Sequence, residues 1–315
     1  MPSKKEPRRP TSTSNFGMGN RESHDATPFY RRFAPPTISD ATQVNPPGEV
    51  NCLVCSDARS MPWIPDNSVA LMVTSPPYFA GKEYEEALGQ NGVPESYLEY
   101  LDMLSAVFAE TFRVLEPGGR IAVNVANLGR KPYRSLSADV TRILQDDLGF
   151  LLRGEILWVK ALGASGNCAW GSFQSAANPV LRDVTERIIV ASKGRFDRVP
   201  NRKKREALGL PFENTITKEG FMESTLDVWQ IRPERARKIG HPAPFPVDLP
   251  RRLIELYTFK NDVVLDPFLG SGSTAIAAVE TNRKFIGVEL DEEYVRLAQR
   301  RLKEDVGIDA SIISP

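Results

Sequence analysis

The chain has three cysteines, two histidines and no long apolar run. Three cysteines in 315 residues are too few for a disulfide framework. Cys52 and Cys55 have no second Cys or His pair at metal-ligand spacing, which favours ordinary strand cysteines over a zinc site. No apolar run approaches the roughly 18 residues that a membrane-spanning helix needs, and no apolar stretch follows the basic N-terminus. We therefore expect a cytoplasmic protein without a structural metal.

The chain also lacks a net charge, because 40 Lys and Arg residues balance 40 Asp and Glu residues. A nucleic-acid partner can consequently be inferred only from local clusters of charge. Hydrophobic residues make up 41% of the chain, enough for a substantial core. The length allows one large α/β domain with an appended module.

Apolar segments alternate with amphipathic ones along most of the chain. Strands are predicted at 49–55, 69–74, 120–125, 154–159, 186–191, 262–265 and 284–288. Helices are predicted over 94–115, around 136–148, near 249–256, after Gly272 and over 292–302. This alternation indicates a parallel, doubly wound sheet, interrupted by a polar, cationic insertion at about 193–240. Residues 1–47 are rich in Pro, Ser, Thr and charge, which is typical of a disordered or loosely attached tail.

The sharpest local signal is DVVLDPFLGSGST at 262–274. An apolar strand enters a Gly-X-Gly turn that opens a helix, so the backbone can approach a ligand and present free helix N-terminal N–H groups. The glycines do not follow the G-x-G-x-x-G pattern of dinucleotide folds, and the loop fits the shorter turn of S-adenosylmethionine binders at least as well. Glu289 closes the next strand, where a carboxylate can accept hydrogen bonds from ribose hydroxyls. An ordinary strand-to-helix turn is the alternative.

A second signal, TSPPY at 74–78, ends a predicted strand, where open α/β sheets place their chemistry. The two prolines fix φ and have no N–H to donate. The Ser75 hydroxyl oxygen and the Pro76 carbonyl could accept both N–H bonds of an aromatic amine such as cytosine N4, whose lone pair is otherwise delocalised, and align it with a sulfonium methyl. Tyr78 would stack on a base extruded from the duplex. A plain Pro-Pro turn with a core tyrosine is the alternative.

Together, TSPPY and DPFLGSGST resemble the motifs of the amino-methyltransferases of bacterial and archaeal restriction–modification systems. The base-site motif comes first and the cofactor loop near the C-terminus, an order similar to that of the β class. The resemblance covers roughly 49–303 and implies a Rossmann-like, mostly parallel seven-stranded sheet in circularly permuted order. It implies a tail at 1–47, a catalytic half at 48–192, a target-recognition insertion at 193–240, a cofactor-binding half at 241–305 and a C-terminal tail at 306–315.

The resemblance also implies the functional residues. The catalytic set is Ser75, Pro76, Pro77 and Tyr78. S-adenosylmethionine would contact Asp57 through its adenine, Ala243, Pro244 and Phe245 through its methionine end, and Glu289 through its ribose. The remaining implied cofactor contacts lie in the loop: Asp266, Pro267, Phe268, Gly270, Ser271, Gly272, Ser273 and Thr274. No metal ligand is implied, and His241 is interpreted as a helix-entry residue.

The target atom depends on the residue before Pro-Pro. In the family, Ser usually accompanies cytosine N4, and Asp or Asn accompanies adenine N6, so Ser75 favours cytosine and leaves adenine as the alternative. Methylation of the cytosine ring carbon would need a cysteine nucleophile, usually after a proline, and none of the three cysteines follows one. A protein glutamine methyltransferase is more remote, because such enzymes carry Asn before Pro-Pro-Tyr and place the cofactor loop first. An inactive nucleic-acid binder with this fold is a further alternative.

A cationic cluster at the start of the insertion predicts contacts with DNA phosphates. Seven basic residues fall within 193–205, against the single acid Asp197. The predicted DNA-binding residues are Arg195, Arg198, Arg202, Lys203, Lys204 and Arg205. A solvated charged loop is the alternative. The expected substrate is double-stranded DNA, a restriction endonuclease with the same target sequence is a candidate partner, and the protein would be a monomer or a homodimer.

Overall fold

A nine-stranded sheet organises the computed structural model, which describes residues 37–77, 94, 96–127, 133–160, 171–198, 200–234 and 245–313. The strands are β1 (Cys52–Cys55), β2 (Val69–Thr74), β3 (Leu115–Val125), β4 (Leu151–Val159), β5 (Thr185–Ser192), β6 (Val228–Gln230), β7 (Val263–Asp266), β8 (Lys284–Glu289) and β9 (Ser311–Ile313). The helices are α1 (Tyr97–Val114), α2 (Leu136–Arg142, extended by a π-helical turn at Ile143–Asp147), α3 (Arg202–Ala207), α4 (Lys218–Ser224), α5 (Asp248–Tyr257), α6 (Ser273–Glu280) and α7 (Glu292–Val306).

The strands lie in the order β6-β4-β5-β3-β2-β7-β8-β1-β9, and only the two pairs that involve β5 are antiparallel. The predicted mostly parallel α/β sheet is therefore confirmed. It has two strands more than the seven expected, because β6 and β9 add three residues each at its edges. Segments that short carry too little periodicity to be predicted. Within the described part of the chain, no helix is long and apolar enough to cross a membrane.

The central strands are buried on both faces, which explains why their sequences are continuously apolar. All six residues of β2, VALMVT, are buried, as expected for a parallel strand covered by helices on both sides. Helix α1 covers one face: the Ser96 hydroxyl caps its N-terminus by accepting from the Glu99 N–H, and Tyr100, Leu104 and Phe108 point into the core. The sheet and its helices thus form one continuous scaffold for the strand ends.

Strands from the two ends of the described domain pair within the sheet. Strand β1 pairs in parallel with β8, with Cys55 opposite Glu289, although β8 directly precedes the last long helix. This is the arrangement that the permuted motif order predicts. Contacts with the domain also begin earlier in the chain than predicted: the Ser39 N–H donates to Gly194 O at 2.7 Å and the Asn45 N–H to Asn67 O at 2.9 Å, so residues 38–47 lie against the domain. The rest of the predicted tail, 1–36, lies outside the described residues.

The reversed direction of β5 determines which segments reach which edge of the sheet. We call the edge at which β2, β3 and β7 end the carboxyl edge, and the opposite edge the amino edge. Because Arg187 pairs with Val125 and Ser192 with Arg120, β5 begins at the carboxyl edge and ends at the amino edge. The predicted insertion therefore starts at the amino edge. It returns through β6, which runs parallel to β4, and leaves at the carboxyl edge.

A buried cluster of charged side chains closes the amino edge. The Arg198 guanidinium contacts Glu116 at 2.5 Å and Asp262 at 2.6 Å, and Arg205 contacts the same two carboxylates at 3.4 and 3.6 Å. Both guanidinium groups lie over the Phe259 ring, 4.8 and 5.0 Å from its centre. Arg205 is only 1% exposed. Burial raises the pKa of Glu116 despite the two cations, so the cluster depends on close pairing.

This cluster corrects the predicted DNA-binding set. Arg198 and Arg205 are buried in ion pairs and present no guanidinium to a phosphate. The exposed neighbours lie at the amino edge, because α3 is held there through Arg205, a strand length of about 20 Å from the site. The other four predicted residues are the half-buried Arg195, which pairs with Asp197, and the exposed Arg202, Lys203 and Lys204. The sequence pattern alone could not show which of these basic residues are buried and which are exposed.

Replacing Arg198 with methionine should destabilise the fold strongly. The substitution keeps much of the side-chain volume but leaves Glu116 and Asp262 buried with one cation fewer, which costs about 3 to 5 kcal/mol of unfolding free energy. Lys203→Met on α3 is the matched control and should change the unfolding free energy by less than about 0.5 kcal/mol, because Lys203 is exposed. Urea denaturation measures both. Equal stability of the two variants would show that the cluster does not hold the amino edge.

Candidate active site at the carboxyl edge

One buried carboxylate joins the two sequence motifs. The Thr74 hydroxyl, at the end of β2, donates to Asp266 Oδ1 at 2.6 Å. The Thr274 hydroxyl, in the first turn of α6, donates to Asp266 Oδ2 at 2.6 Å, and the Phe268 N–H donates to Oδ1 at 3.1 Å. Strands β2 and β7 are direct neighbours in the sheet. The Ser75-Pro76-Pro77 turn therefore begins beside the glycine loop, although Thr74 and Asp266 are 192 residues apart in the chain.

The loop between β7 and α6 requires its glycines. Gly270 and Gly272 have φ of +50° and +84°, a region that glycine enters without steric cost. A Cβ at Gly272 would also lie 3.0 Å from the Ala298 side chain on α7. The buried Arg301 guanidinium, also from α7, donates to Ser271 O at 2.6 Å. Ala298 and Arg301 of helix α7 thus hold the loop in place. The sequence did not indicate these contacts.

The loop offers its backbone, because most of its predicted side chains point inward. Asp266, Pro267, Ser271, Ser273 and Thr274 are buried, and Phe268 is half-buried. The first N–H groups of a helix have no partner within the helix, so the start of α6 presents donors beside the turn. Asp266, predicted as a cofactor contact, directs its two oxygens to Thr74, Thr274 and Phe268 and so supports the loop from below.

Glu289 stands at the end of β8, next to the loop. Its Oε2 accepts from the Gly270 N–H at 2.9 Å, and its Oε1 accepts from the Leu290 and Asp291 N–H groups at 2.9 and 3.1 Å. Burial raises the pKa of Glu289, although these three hydrogen bonds act in the opposite direction. Since a carboxylate has about four acceptor positions, roughly one remains for a ligand hydroxyl.

The other predicted cofactor residues are only partly described. Asp57 follows β1 at the same edge, where the Ser56 N–H donates to Glu289 O at 3.0 Å. Partial burial opposes ionisation of Asp57, but the Arg59 guanidinium at 2.5 Å keeps the pKa of Asp57 below its ordinary value. Phe245 is 9% exposed and packs in the apolar core. Tyr78, His241, Ala243 and Pro244 lie outside the described residues.

A second polar chain runs from the base-site turn across the sheet. The Asn124 Nδ2 lies 3.3 Å from Ser75 Oγ and 2.6 Å from Glu186 Oε2, and Lys160 Nζ lies 2.7 Å from Glu186 Oε1. Asn124, Glu186 and Lys160 were not among the residues predicted from the sequence. The available signal was a single Asn within the apolar segment IAVNV, because a buried polar side chain needs partners.

Replacing Asp266 with asparagine should remove one pH dependence of stability. Burial raises the pKa of Asp266 from 3.8 to about 6, despite the hydrogen bonds from Thr274, Thr74 and Phe268. The folded protein therefore binds this proton more tightly than the unfolded chain. The resulting stabilisation is fully present below about pH 4 and is lost as the pH rises through about 6, an effect on the order of 3 kcal/mol. Urea denaturation between these values should show this decline relative to Asp266→Asn, and parallel curves would contradict it.

Comparison with known proteins identifies the family. The family model described as DNA methylase matches residues 69–300, more than half of the chain. The Type II methyltransferase M.MjaI of Methanocaldococcus jannaschii is 31% identical over 297 residues, which cover 82% of this chain and 95% of that protein. The Type II methyltransferase M.BglI of Bacillus subtilis is 28% identical over 302 residues, covering 78% and 84%.

Solved structures share the fold. The protein TTHA0409 of Thermus thermophilus, assigned as a DNA modification methylase, superposes with a TM-score of 0.64 at 32% identity, covering 84% of this chain and 99% of that one. The PvuII DNA methyltransferase, described as cytosine-N4-specific, has a TM-score of 0.56 at 22% identity, covering 81% and 86%, and shows the fold alone. The family match over residues 69–300 and the 31% identity with M.MjaI establish that this chain belongs to the DNA methylase family.

Proposed function

We propose that this protein is a site-specific DNA methyltransferase that transfers a methyl group from S-adenosylmethionine to cytosine N4 of a base extruded from the duplex. The observation that carries the proposal is the contact of Thr74 and Thr274 with the same Asp266 carboxylate. This contact brings the start of the Ser75-Pro76-Pro77 turn beside the glycine loop. The relatives among the Type II methyltransferases support DNA as the substrate, which also favours a cytoplasmic location.

The residues of the loop fit S-adenosylmethionine. The left-handed glycines and the first turn of α6 expose backbone donors where side chains are turned inward, and Glu289 retains an acceptor position for a ribose hydroxyl. Asp57 would lie at the adenine, and Phe245, with Ala243 and Pro244, at the methionine end. TTHA0409 has been crystallised in complex with S-adenosylmethionine at 32% identity to this chain. When bound, the cofactor supplies an electrophilic methyl group.

The base-site turn activates the amino nitrogen. Ser75 Oγ and the Pro76 carbonyl accept the two N–H bonds, which localises the nitrogen lone pair and directs it toward the methyl group. Formation of the nitrogen–methyl bond would break the carbon–sulfur bond of the cofactor, whose sulfur would leave as a neutral thioether, and the nitrogen would release one of its two protons to solvent. Tyr78 stacks on the extruded ring. No covalent enzyme intermediate is required, which agrees with the absence of a Pro-Cys dipeptide from the sequence.

The DNA-facing surface lies at the carboxyl edge. Strand β6 ends there, because Gln230 pairs with Val159 at the end of β4. The exposed Arg232 follows directly and opens the second cationic run of the insertion, RPERARK at 232–238. A duplex that delivers a base to Ser75 approaches the carboxyl edge and can contact Arg232 there, whereas Lys203 and Lys204 are on the opposite edge. We therefore assign a phosphate contact to Arg232; the other basic residues of this run, at 235–238, lie outside the described residues.

Ser75→Ala should abolish most of the methyl transfer and leave cofactor affinity unchanged. Loss of one preorganised hydrogen-bonding group in a transition state typically lowers kcat about 10²- to 10³-fold. Transfer is measured on DNA digested to nucleosides, which are separated by chromatography before mass analysis because N4-methyl- and C5-methyldeoxycytidine have the same mass. Cofactor affinity is measured by calorimetry. Ser311→Ala, at the exposed edge strand β9, is the matched control.

The same digestion decides the target atom. N4-methyldeoxycytidine is the expected product. Detection of N6-methyldeoxyadenosine would instead show that the target is adenine. Methylation of protein but not of DNA would favour the glutamine alternative. Full turnover by the Ser75→Ala enzyme would remove Ser75 from the chemistry.

Arg232→Ala should weaken DNA binding, and removal of the amino-edge cations should not. Each lost phosphate contact lowers the slope of log affinity against log salt by about 0.9. The variant should therefore show a shallower salt dependence, measured by fluorescence anisotropy with a labelled duplex. The combined Arg202→Ala, Lys203→Ala and Lys204→Ala variant removes three cations from the opposite edge and should retain the native slope. The reverse pattern would show that DNA phosphates contact the cations of α3 and not Arg232.

A further inference from the structure

A chain of four polar side chains crosses four adjacent strands behind the base site. It begins at Ser75, which follows β2, and continues through Asn124 on β3 and Glu186 on β5 to Lys160, which follows β4. Asn124 is 1% exposed and Glu186 is 7% exposed, so both lie within the sheet and not on its surface. All four meet at the carboxyl edge, because the antiparallel β5 brings its N-terminal residues to the edge where β2, β3 and β4 end.

The Glu186 carboxylate determines which way the Asn124 amide points. The amide nitrogen lies 2.6 Å from Glu186 Oε2, a distance at which the amide oxygen would face a carboxylate oxygen without a proton between them. The nitrogen must therefore face Glu186, and the same nitrogen lies 3.3 Å from Ser75 Oγ. Asn124 thus directs one N–H toward Glu186 and one toward Ser75. Lys160 pairs with the other carboxylate oxygen at 2.7 Å and holds Glu186 in place.

We propose that Asn124, Glu186 and Lys160 are positioning residues for the methyl-accepting base. The Asn124 N–H faces Ser75 Oγ and so limits rotation of the hydroxyl that the proposed mechanism uses as an acceptor for the amino group of the base. This inference rests on the proposed function, since Ser75 is a catalytic residue only if the site binds such an amine. The distance of 3.3 Å is long for a hydrogen bond, as is common before a substrate tightens a site.

The chain orients Ser75 and does not carry its proton. An amide nitrogen that donates both of its hydrogens has no lone pair to accept a proton, so a proton from Ser75 cannot pass through Asn124 to Glu186. The pairing of Glu186 with Lys160 also balances the charge, so no uncompensated carboxylate is left near a cationic cofactor. Loss of the chain should therefore affect the rate of transfer more than the binding of cofactor.

Asn124→Asp tests the proposal through its pH dependence. The new carboxyl group would lie against Glu186, and two adjacent carboxyl groups share one proton, which raises an apparent pKa of the pair. When protonated, the new carboxyl group has a single O–H that can donate to Glu186 or to Ser75 but not to both at once, so the contact with Ser75 is restored in part; when ionised, it cannot donate at all. We expect kcat at pH 8 to fall about tenfold or more below that of the native enzyme, and the ratio of the two to recover toward pH 6. The KM for DNA and the cofactor affinity should change much less.

Glu186→Gln provides a second test that adds no charge. It weakens the anchor of the Asn124 amide and should lower kcat with little change in KM or in cofactor affinity measured by calorimetry. The matched control is Glu155→Gln, which breaks the pair between the exposed Glu155 and the half-buried Arg187 on the same two strands and should leave all three quantities unchanged. A pH-independent loss in Asn124→Asp, or equal losses in the two Gln variants, would overturn the positioning role alone. A native enzyme that methylates no DNA would overturn the proposed function as well.

Discussion

The contact of Asp266 with two threonines is the constraint on which the site depends. A fully buried carboxylate is stable only when its oxygens are hydrogen-bonded, and here Thr74, Thr274 and the Phe268 N–H supply the bonds. These partners belong to β2, to the start of α6 and to the loop between β7 and α6. The need to hydrogen-bond both oxygens of Asp266 therefore sets the spacing between the Ser75 turn and the glycine loop. A change in the direction of either element would leave the carboxylate with a missing donor.

The same constraint explains why the order of the motifs along the chain can vary. Sheet neighbours are set by pairing and not by sequence distance, so Thr74 and Asp266 meet across 192 residues. Strand β1 fills the position beside β8 that a strand following the last helix would occupy, and Cys55 lies opposite Glu289. Asp57 reaches the edge of the cofactor loop through this pairing. What matters for the site is that β1, β2, β7 and β8 end at one edge, in whatever order the chain visits them.

The parts of the fold that could be predicted are those whose signal is local. The β7–loop–α6 unit and the Pro-Pro turn contain their own glycines, prolines and apolar strands, and the structure places them side by side. Arg198 and Arg205 could not be recognised as buried, because their partners Glu116 and Asp262 lie far away in sequence. The direction of β5 could not be predicted for a related reason. Its strand character is visible in TERIIVAS, but its direction is decided by pairing with β3 and β4.

The reversed direction of β5 helps to place the candidate active site at the carboxyl edge and the buried charge cluster at the amino edge. Because β5 runs against its neighbours, its first residues bring Glu186 to Asn124 at the carboxyl edge, while the chain after Ser192 carries Arg198 to Glu116 at the amino edge. If β5 ran parallel to β3, Glu186 would lie at the amino edge and the chain after Ser192 would leave at the carboxyl edge, so neither Glu186 nor Arg198 would reach its partner. Near the site, Glu186 is paired with Lys160, whereas the large charge cluster lies about 20 Å away, where it can stabilise the sheet without perturbing a cationic cofactor.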